Sequence, residues 1–267
     1  MKPGIHADIP NEEYHNGPGI SSSGIKKLLD CPRKFHWEYI LGNREPASDA
    51  MELGTLFHTA VLEPDKFKDS FLVNDDHRSS KAFKEFKADH PGEIIIKTPQ
   101  MEQLRLMFDA VMAHPVARAL LESAGAVEQS YAWTDKDTGT LCKVRPDKLS
   151  LYKGRKLLVD LKTAATARPE DYEKAIYNFH YHLSAAMYLE GVVENNDPHE
   201  AFVHIVVEKK APFITEVYNL DQKAMETGME QFRVGLELYK ECTKTGVWPG
   251  YTDGTINDIG IPYWAGE

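Results

Sequence analysis

Cysteine is scarce in this 267-residue chain: Cys31, Cys142 and Cys242 are far apart, odd in number and without a Cys-x-x-Cys pair. Such spacing excludes a disulfide framework and indicates neither a zinc nor an iron–sulfur centre. Long apolar runs are also lacking, since no segment approaches the ~20 residues of a membrane-spanning helix. The amino terminus is polar and has no apolar signal core. A soluble, cytoplasmic protein with no membrane partner is expected. Low-complexity tracts and internal repeats are missing. Positive charge is in deficit, 31 Lys and Arg against 41 Asp and Glu for a formal net charge of −10, which argues against a generally basic nucleic-acid coat.

What remains is ordinary globular material, 42% apolar and 10% aromatic, enough for a sizeable core. The expected organisation is one unit over 1–267. Residues 1–125 are mainly helical, 126–220 carry the sheet, and 221–267 hold a final helix and an aromatic tail.

The stretch Leu141–Thr163 organises the rest. The run Leu-Cys-Lys-Val-Arg-Pro-Asp-Lys-Leu alternates as a half-buried strand does, Tyr152-Lys153-Gly154-Arg155 is a turn signal, and Leu-Leu-Val-Asp-Leu-Lys-Thr is apolar enough for a sheet interior. Side chains alternate along a strand, so Asp160 and Lys162 share a face, and Asp147 comes beside them if the two strands pair. Two carboxylates crowded on one patch repel and are partly desolvated, a cost that a divalent cation relieves. Magnesium takes carboxylate oxygens and keeps several waters, so two aspartates suffice, and Lys162 is left facing the water. That is equipment for phosphodiester hydrolysis. The alternative is a surface hairpin with incidental charges.

Acid-x-Lys triplets also begin at Glu85, Glu208 and Asp221. Glu85 and Asp221 lie in polar, helix-like surroundings, and Glu208 precedes an exposed turn. Only Asp160 combines an apolar strand with an upstream Pro-Asp. Between Lys143 and Lys162, seven basic residues stand against two acids. Lys143, Arg145 and Lys148, with Arg33 farther off, are candidate phosphate contacts in a basic groove on an acidic body.

Elsewhere, Ser21 is expected to cap a helix that Cys31-Pro32 stops, and the aromatics Phe35, Trp37, Tyr39 and Ile40 read as core. Asp49–Glu63 reads as a mostly buried helix through Met51, Leu53, Leu56, Phe57, Ala60 and Val61. Gly54 within it suggests close approach by another backbone, and His58 lies one turn on, a candidate ligand. Charged Lys81–Asp89, then Met101–Ala113 and Val116–Ala124, read as helices. Glu128–Thr134 is expected as the first strand of the sheet, with Glu128 a candidate metal-site acid at its end. A long helix is expected from Glu170 to about Val193, bearing His182, Ser184 and Tyr188. A hairpin follows over Ala201–Glu208 and Phe213–Leu220, and Asp221 caps the last helix. The aromatic tail, Trp248 to Trp264, is a candidate for packing between subunits.

Taken together, these strings resemble the RecE exonuclease family, the prophage-encoded exonuclease VIII type of the PD-(D/E)xK nuclease superfamily. The similar features are Gly19-Ile20-Ser21 after Asn-Glu-Glu-Tyr-His, Leu53-Gly54-Thr55 with His58, Leu62-Glu63-Pro64, Met112-Ala113-His114-Pro115, Arg145-Pro146-Asp147-Lys148, Asp160-Leu161-Lys162-Thr163, Tyr181-His182, and Trp248-Pro249-Gly250 before Pro262-Tyr263-Trp264. The resemblance implies an α/β (mixed α+β) fold with a central mixed sheet flanked by helices. It implies a Mg2+-dependent enzyme, with Mn2+ as substitute, that degrades double-stranded DNA ends 5′-to-3′. A RecT-like single-strand annealing protein as partner and a toroidal homotetramer come with it. By matching positions, His58, Asp147, Asp160 and the Leu161 carbonyl are the implied metal site, and Lys162 is the catalytic lysine. Related nucleases often carry a glutamine where Ser184 stands, so a contact made there is absent or taken by His182. The competing functions are a structure-specific or restriction-like endonuclease of the same superfamily and a degenerate DNA-binding protein.

Overall fold

The computed structural model describes residues 1–262 apart from 8, 47 and 253. Caps and prolines delimit its first half. A short strand β1 (Gly4–His6) and helix α1 (Asn11–Asn16) lead to α2 (Ser22–Asp30), where the Gly24 amide donates to the capping Ser21 hydroxyl at 3.3 Å. Pro32 opens α3 (Pro32–Phe35), which continues into a π-type turn, His36–Ile40. Of the aromatic group expected in the core, Phe35 is buried with Tyr39 stacked on it at 5.0 Å, but Trp37 is 57% and Ile40 50% exposed.

Ser48 caps α4 (Asp49–Leu62), followed by α5 (Pro64–Phe67), β2 (Leu72–Val73), α6 (Lys81–Asp89), β3 (Ile95–Ile96), α7 (Thr98–Ala113) and α8 (Pro115–Glu122). The buried stripe of α4 is narrower than its spacing suggests, just Leu56, Phe57 and Ala60, while Met51 is exposed. The expected close approach at Gly54 is also not made, because a Cβ built there meets nothing within 4 Å.

The sheets follow: β4 (Ser130–Thr134), β5 (Leu141–Val144), β6 (Lys148–Tyr152) and β7 (Arg155–Ala164). The single strand expected through Leu149 is two strands. Pro146 has no N–H to give a ladder, and the chain changes sheets at Arg145-Pro146-Asp147. Strand β5 belongs to a three-stranded sheet, β1-β4-β5, so Glu128–Thr134 does not begin the sheet that holds β6 and β7; a bridge from Val127 to Lys148 links the two.

After β7 come α9 (Pro169–Asn178) and α10 (Tyr181–Glu194) instead of one long helix, because His180 turns left-handed at φ 50°. Strands β8 (Ala201–Glu208) and β9 (Thr215–Asn219) and the helix α11 (Gln222–Thr245) complete the fold. The main sheet runs β6-β7-β8-β9, with β7 and β8 parallel and the outer pairs antiparallel, the mixed sheet expected.

Alternation along β7 and β8 divides the core. Leu157, Val159, Leu161, Val203, Ile205 and Val207 pack with Leu56 and Phe57 of α4 and with α7 and α8. Leu158 and Phe202 face the other way, toward Leu183 and Met187 of α10, Phe232 of α11 and Ile25 of α2. Each such fully buried side chain contributes about 1.5–3 kcal/mol of transfer free energy. Trp248, at the start of the aromatic tail, stacks on Phe35 (5.6 Å) and His36 (5.1 Å) of its own chain. Tyr263 and Trp264 lie outside the described residues. Among the described residues no helix is long and apolar enough to cross a membrane.

Candidate metal centre

Asp147 occupies the break between β5 and β6, and the pairing of Lys148 with Val159 brings it level with Asp160 on β7. Its Oδ2 accepts the Leu161 amide at 2.7 Å and lies 3.3 Å from Nδ1 of His58 on α4. Its carbonyl accepts the Glu128 amide at 3.1 Å. Glu128 is held in the left-handed region, φ 51°, a conformation that costs a non-glycine residue about 1 kcal/mol or more and clusters at functional sites. His58, Glu128 and Asp147 thereby present ligand atoms that all lie within 4.8 Å of one another.

The expected partner of that group, Asp160, points elsewhere. It forms an ion pair with Lys162, and its Oδ2 lies 3.8 Å from His204 Nε2. The Leu161 carbonyl is 3.5 Å from Lys162 Nζ. The candidate ligand atoms that lie closest together are therefore those of His58, Asp147 and Glu128, while Asp160 and the Leu161 carbonyl contact Lys162. Local charge explains this arrangement, since Lys162 Nζ is the cation nearest Asp160 and a buried ion pair is retained when each partner would otherwise be uncompensated.

The titration behaviour follows from the packing. Burial pushes the Asp147 carboxyl up; His58 and Lys162 oppose this and the Asp160 charge adds to it, and the net is upward. Burial, then Asp147, lifts Glu128 to about 8. For Asp160 burial acts upward, but Lys162 and His204 outweigh it and the carboxyl is held low. Burial acts downward on Lys162, and the charges of Asp160 and Asp147 outweigh it in turn. His204 is pushed down to about 3 by burial and stays neutral, its Nδ1 2.9 Å from the Tyr172 hydroxyl.

The donor set suits a hard divalent cation: carboxylate oxygens with one imidazole, two of the acids destabilised as anions by burial and by each other. The buried Asp160 Oδ2, although in contact with Lys162, makes no well-directed hydrogen bond. The centre opens on a cavity of about 810 Å³ that Tyr14, His58, Glu128, Arg145, Asp147 and Tyr188 help to line. Tyr188 is thus part of this cavity, its hydroxyl pushed well above the usual tyrosine range by burial. His182 is not: its Nδ1 lies 3.1 Å from the Ile176 carbonyl, and the ring lines a separate cavity of about 460 Å³ with Tyr172 and Tyr218.

The basic groove expected from Lys143, Arg145 and Lys148 does not form, for all three are buried. Lys143 donates to the Tyr14 and Gly17 carbonyls (2.5 and 2.6 Å), Arg145 to Ser130 Oγ and the Ile9 carbonyl (2.8 and 2.9 Å), and Lys148 to the Gly125 carbonyl (2.8 Å). They hold the amino-terminal arm and the loop before β4 against the sheet. Arg33 is exposed beside Gly250, against the carboxy-terminal segment. Sequence reading missed His204, whose signal was a histidine in the apolar run Phe202–Val207.

No curated protein matches the chain. Among solved structures, a candidate exonuclease from Eubacterium rectale superposes with a TM-score of 0.64 at 14% identity, covering 97% of this chain and 98% of that one, which shows a shared fold. A phage-related exonuclease from Haemophilus somnus reaches a TM-score of 0.34 at 12% identity, with 86% and 96% of the two chains covered, a likeness too distant to bear on the fold. A family model matches residues 21–257, nearly the whole chain, and with it both acids, the lysine strand and His58: the protein belongs to the family described as a PDDEXK-like domain of unknown function (DUF3799).

Proposed function

We propose that this protein is a Mg2+-dependent exodeoxyribonuclease that degrades one strand of linear duplex DNA in the 5′-to-3′ sense. The 3′ single-stranded overhangs so produced feed single-strand annealing recombination. The observation that carries the reading is the convergence of His58, Glu128 and Asp147 within 4.8 Å, next to the Asp160–Lys162 pair. A divalent cation held by these residues would supply Lewis acidity toward a phosphodiester and lower the pKa of a water. Lys162 offers a positive charge where negative charge would develop on the phosphate, its ammonium kept protonated by the charges of Asp160 and Asp147. Asp147 and His58 hold each other in place, and the Leu161 amide orients the Asp147 carboxylate. The exonuclease description of the Eubacterium rectale structure supports the choice of a DNA end over an internal site. A RecT-like annealing partner and a closed homotetramer belong to the same proposal.

Digestion of linear and covalently closed circular duplex, each with magnesium or with chelator, tests the reading. Loss of the linear form alone, only with metal, and earlier release of a 5′ than of a 3′ end label are expected. Cutting of the closed circle would replace the exonuclease with an endonuclease.

A further inference from the structure

Lys143 and Lys148 are turned inward, and Arg145, at the cavity wall, is engaged by Ser130 Oγ and the Ile9 carbonyl. Two lysine ammoniums bear on a single aromatic ring at the amino end of α10: Lys162 Nζ lies 5.1 Å from the Tyr181 ring centroid and Lys26 Nζ 5.4 Å. They differ in their partners. Lys162 is paired with Asp160, whereas among the described residues no carboxylate lies in ion-pair range of Lys26. Its neighbour Lys27 is paired, with Glu38 at 2.9 Å.

The position of Lys26 is rigid. Ile25 and Leu28, on either side of it along α2, are completely buried, and Ser21 caps the helix. Helix α11 comes so close that a Cβ on Gly235 would stand 2.5 Å from Ile25 Cγ2. A half-buried ammonium fixed near a second ammonium is unfavourable without an anion, and burial followed by the Lys162 charge pulls its pKa down to about 8. Resting on the nuclease reading above, we infer that Lys26 contacts a non-scissile phosphate of the bound strand, next to the one that Lys162 addresses. The ring of Tyr181 spaces the two cations so that each meets its own phosphate.

The test measures binding of a fluorescent linear duplex by anisotropy over a salt series, in chelator so that nothing is cut, with ends carrying a 5′-phosphate or a 5′-hydroxyl. Lys26→Gln should weaken binding and lower the slope of log K against log salt by about one, alike for all sequences, and Lys26→Arg should restore both. With magnesium, Lys26→Gln should raise KM and leave kcat, the opposite of Lys162→Ala. A loss seen with both ends assigns an internal phosphate, and a loss confined to phosphorylated ends assigns the terminal one; either upholds the contact. An unchanged slope overturns it, as does a loss that tracks a lower melting temperature and is not restored by arginine. If wild-type protein cuts DNA while Lys26→Gln binds normally, only this inference falls. If wild-type protein neither binds nor cuts with metal, the nuclease reading falls first.

Discussion

The carboxylate of Asp147 accepts the backbone amide of Leu161 at 2.7 Å, which ties this acid of the candidate metal centre to the strand that carries Lys162. Asp147 sits just after a proline break, where the backbone alone would leave it free to turn. The bond to an amide of a sheet-interior strand removes that freedom, so the position of one motif half is set by the other.

Asp147→Asn keeps an oxygen able to accept the Leu161 amide but removes the anionic ligand. Cleavage should fall by about 10²-fold or more while the fold and DNA binding survive. Single-turnover cleavage alongside anisotropy and circular dichroism checks it; near-normal magnesium-dependent cleavage would remove Asp147 from the metal site.

Glu128 adds a pH signature. Its folded pKa is raised to about 8 from an ordinary 4.5, so between those values the folded chain holds a proton that the unfolded chain has lost. Stability from this group therefore declines as pH rises through that window, the sign required when the native state binds more protons. In metal-free protein, Glu128→Gln should flatten the fall in melting temperature between about pH 5 and pH 8. Metal binding near neutral pH should release a proton in wild type, seen as a dependence of calorimetric heat on buffer ionisation, and less of it in the variant.

Lys143 should behave as a structural cation. Lys143→Met leaves the Tyr14 and Gly17 carbonyls without their donor and should cost about 1–3 kcal/mol of stability. Denaturant unfolding measures this, and the salt slope of DNA binding should not change. A variant of full stability with a reduced slope would return Lys143 to the DNA interface.

Two glycines should respond in opposite directions to alanine. Gly54 has open space where a Cβ would go, so Gly54→Ala should stabilise α4 by up to about 1 kcal/mol. At Gly228 the same atom would come 2.1 Å from the His182 carbonyl oxygen, backbone that cannot step aside. Gly228→Ala should therefore cost about 1–3 kcal/mol or more by forcing α10 and α11 apart. Paired thermal melts decide both.

Much of the framework was legible from residues. The apolar run of β7, the caps at Ser21 and Asp221, and the hairpin of β8 and β9 are all short-range signals, and each formed where read. Asp147 and Asp160 were identifiable because acids in apolar strands demand a reason. The long helix over 170–193 was misread because a left-handed residue at His180 leaves no trace in an apolar spacing. The basic groove was misread for a different reason. Lys143 finds its partners 129 and 126 residues earlier in the chain, a distance no local pattern reports.

By itself the sequence determined most of the helix and strand segments, their caps and turns, and which acids and lysine share the strand pair. Those outcomes depend on backbone sterics and on side-chain periodicity, which act over a few residues. The tertiary structure alone decided that Glu128 joins His58 and Asp147, that Asp160 pairs with Lys162 near His204, and that Lys143, Arg145 and Lys148 are buried on backbone and hydroxyl partners while Lys26 lies over the Tyr181 ring. Desolvation and Coulomb energies depend on separation in space and on burial, and neither exists until distant segments have packed.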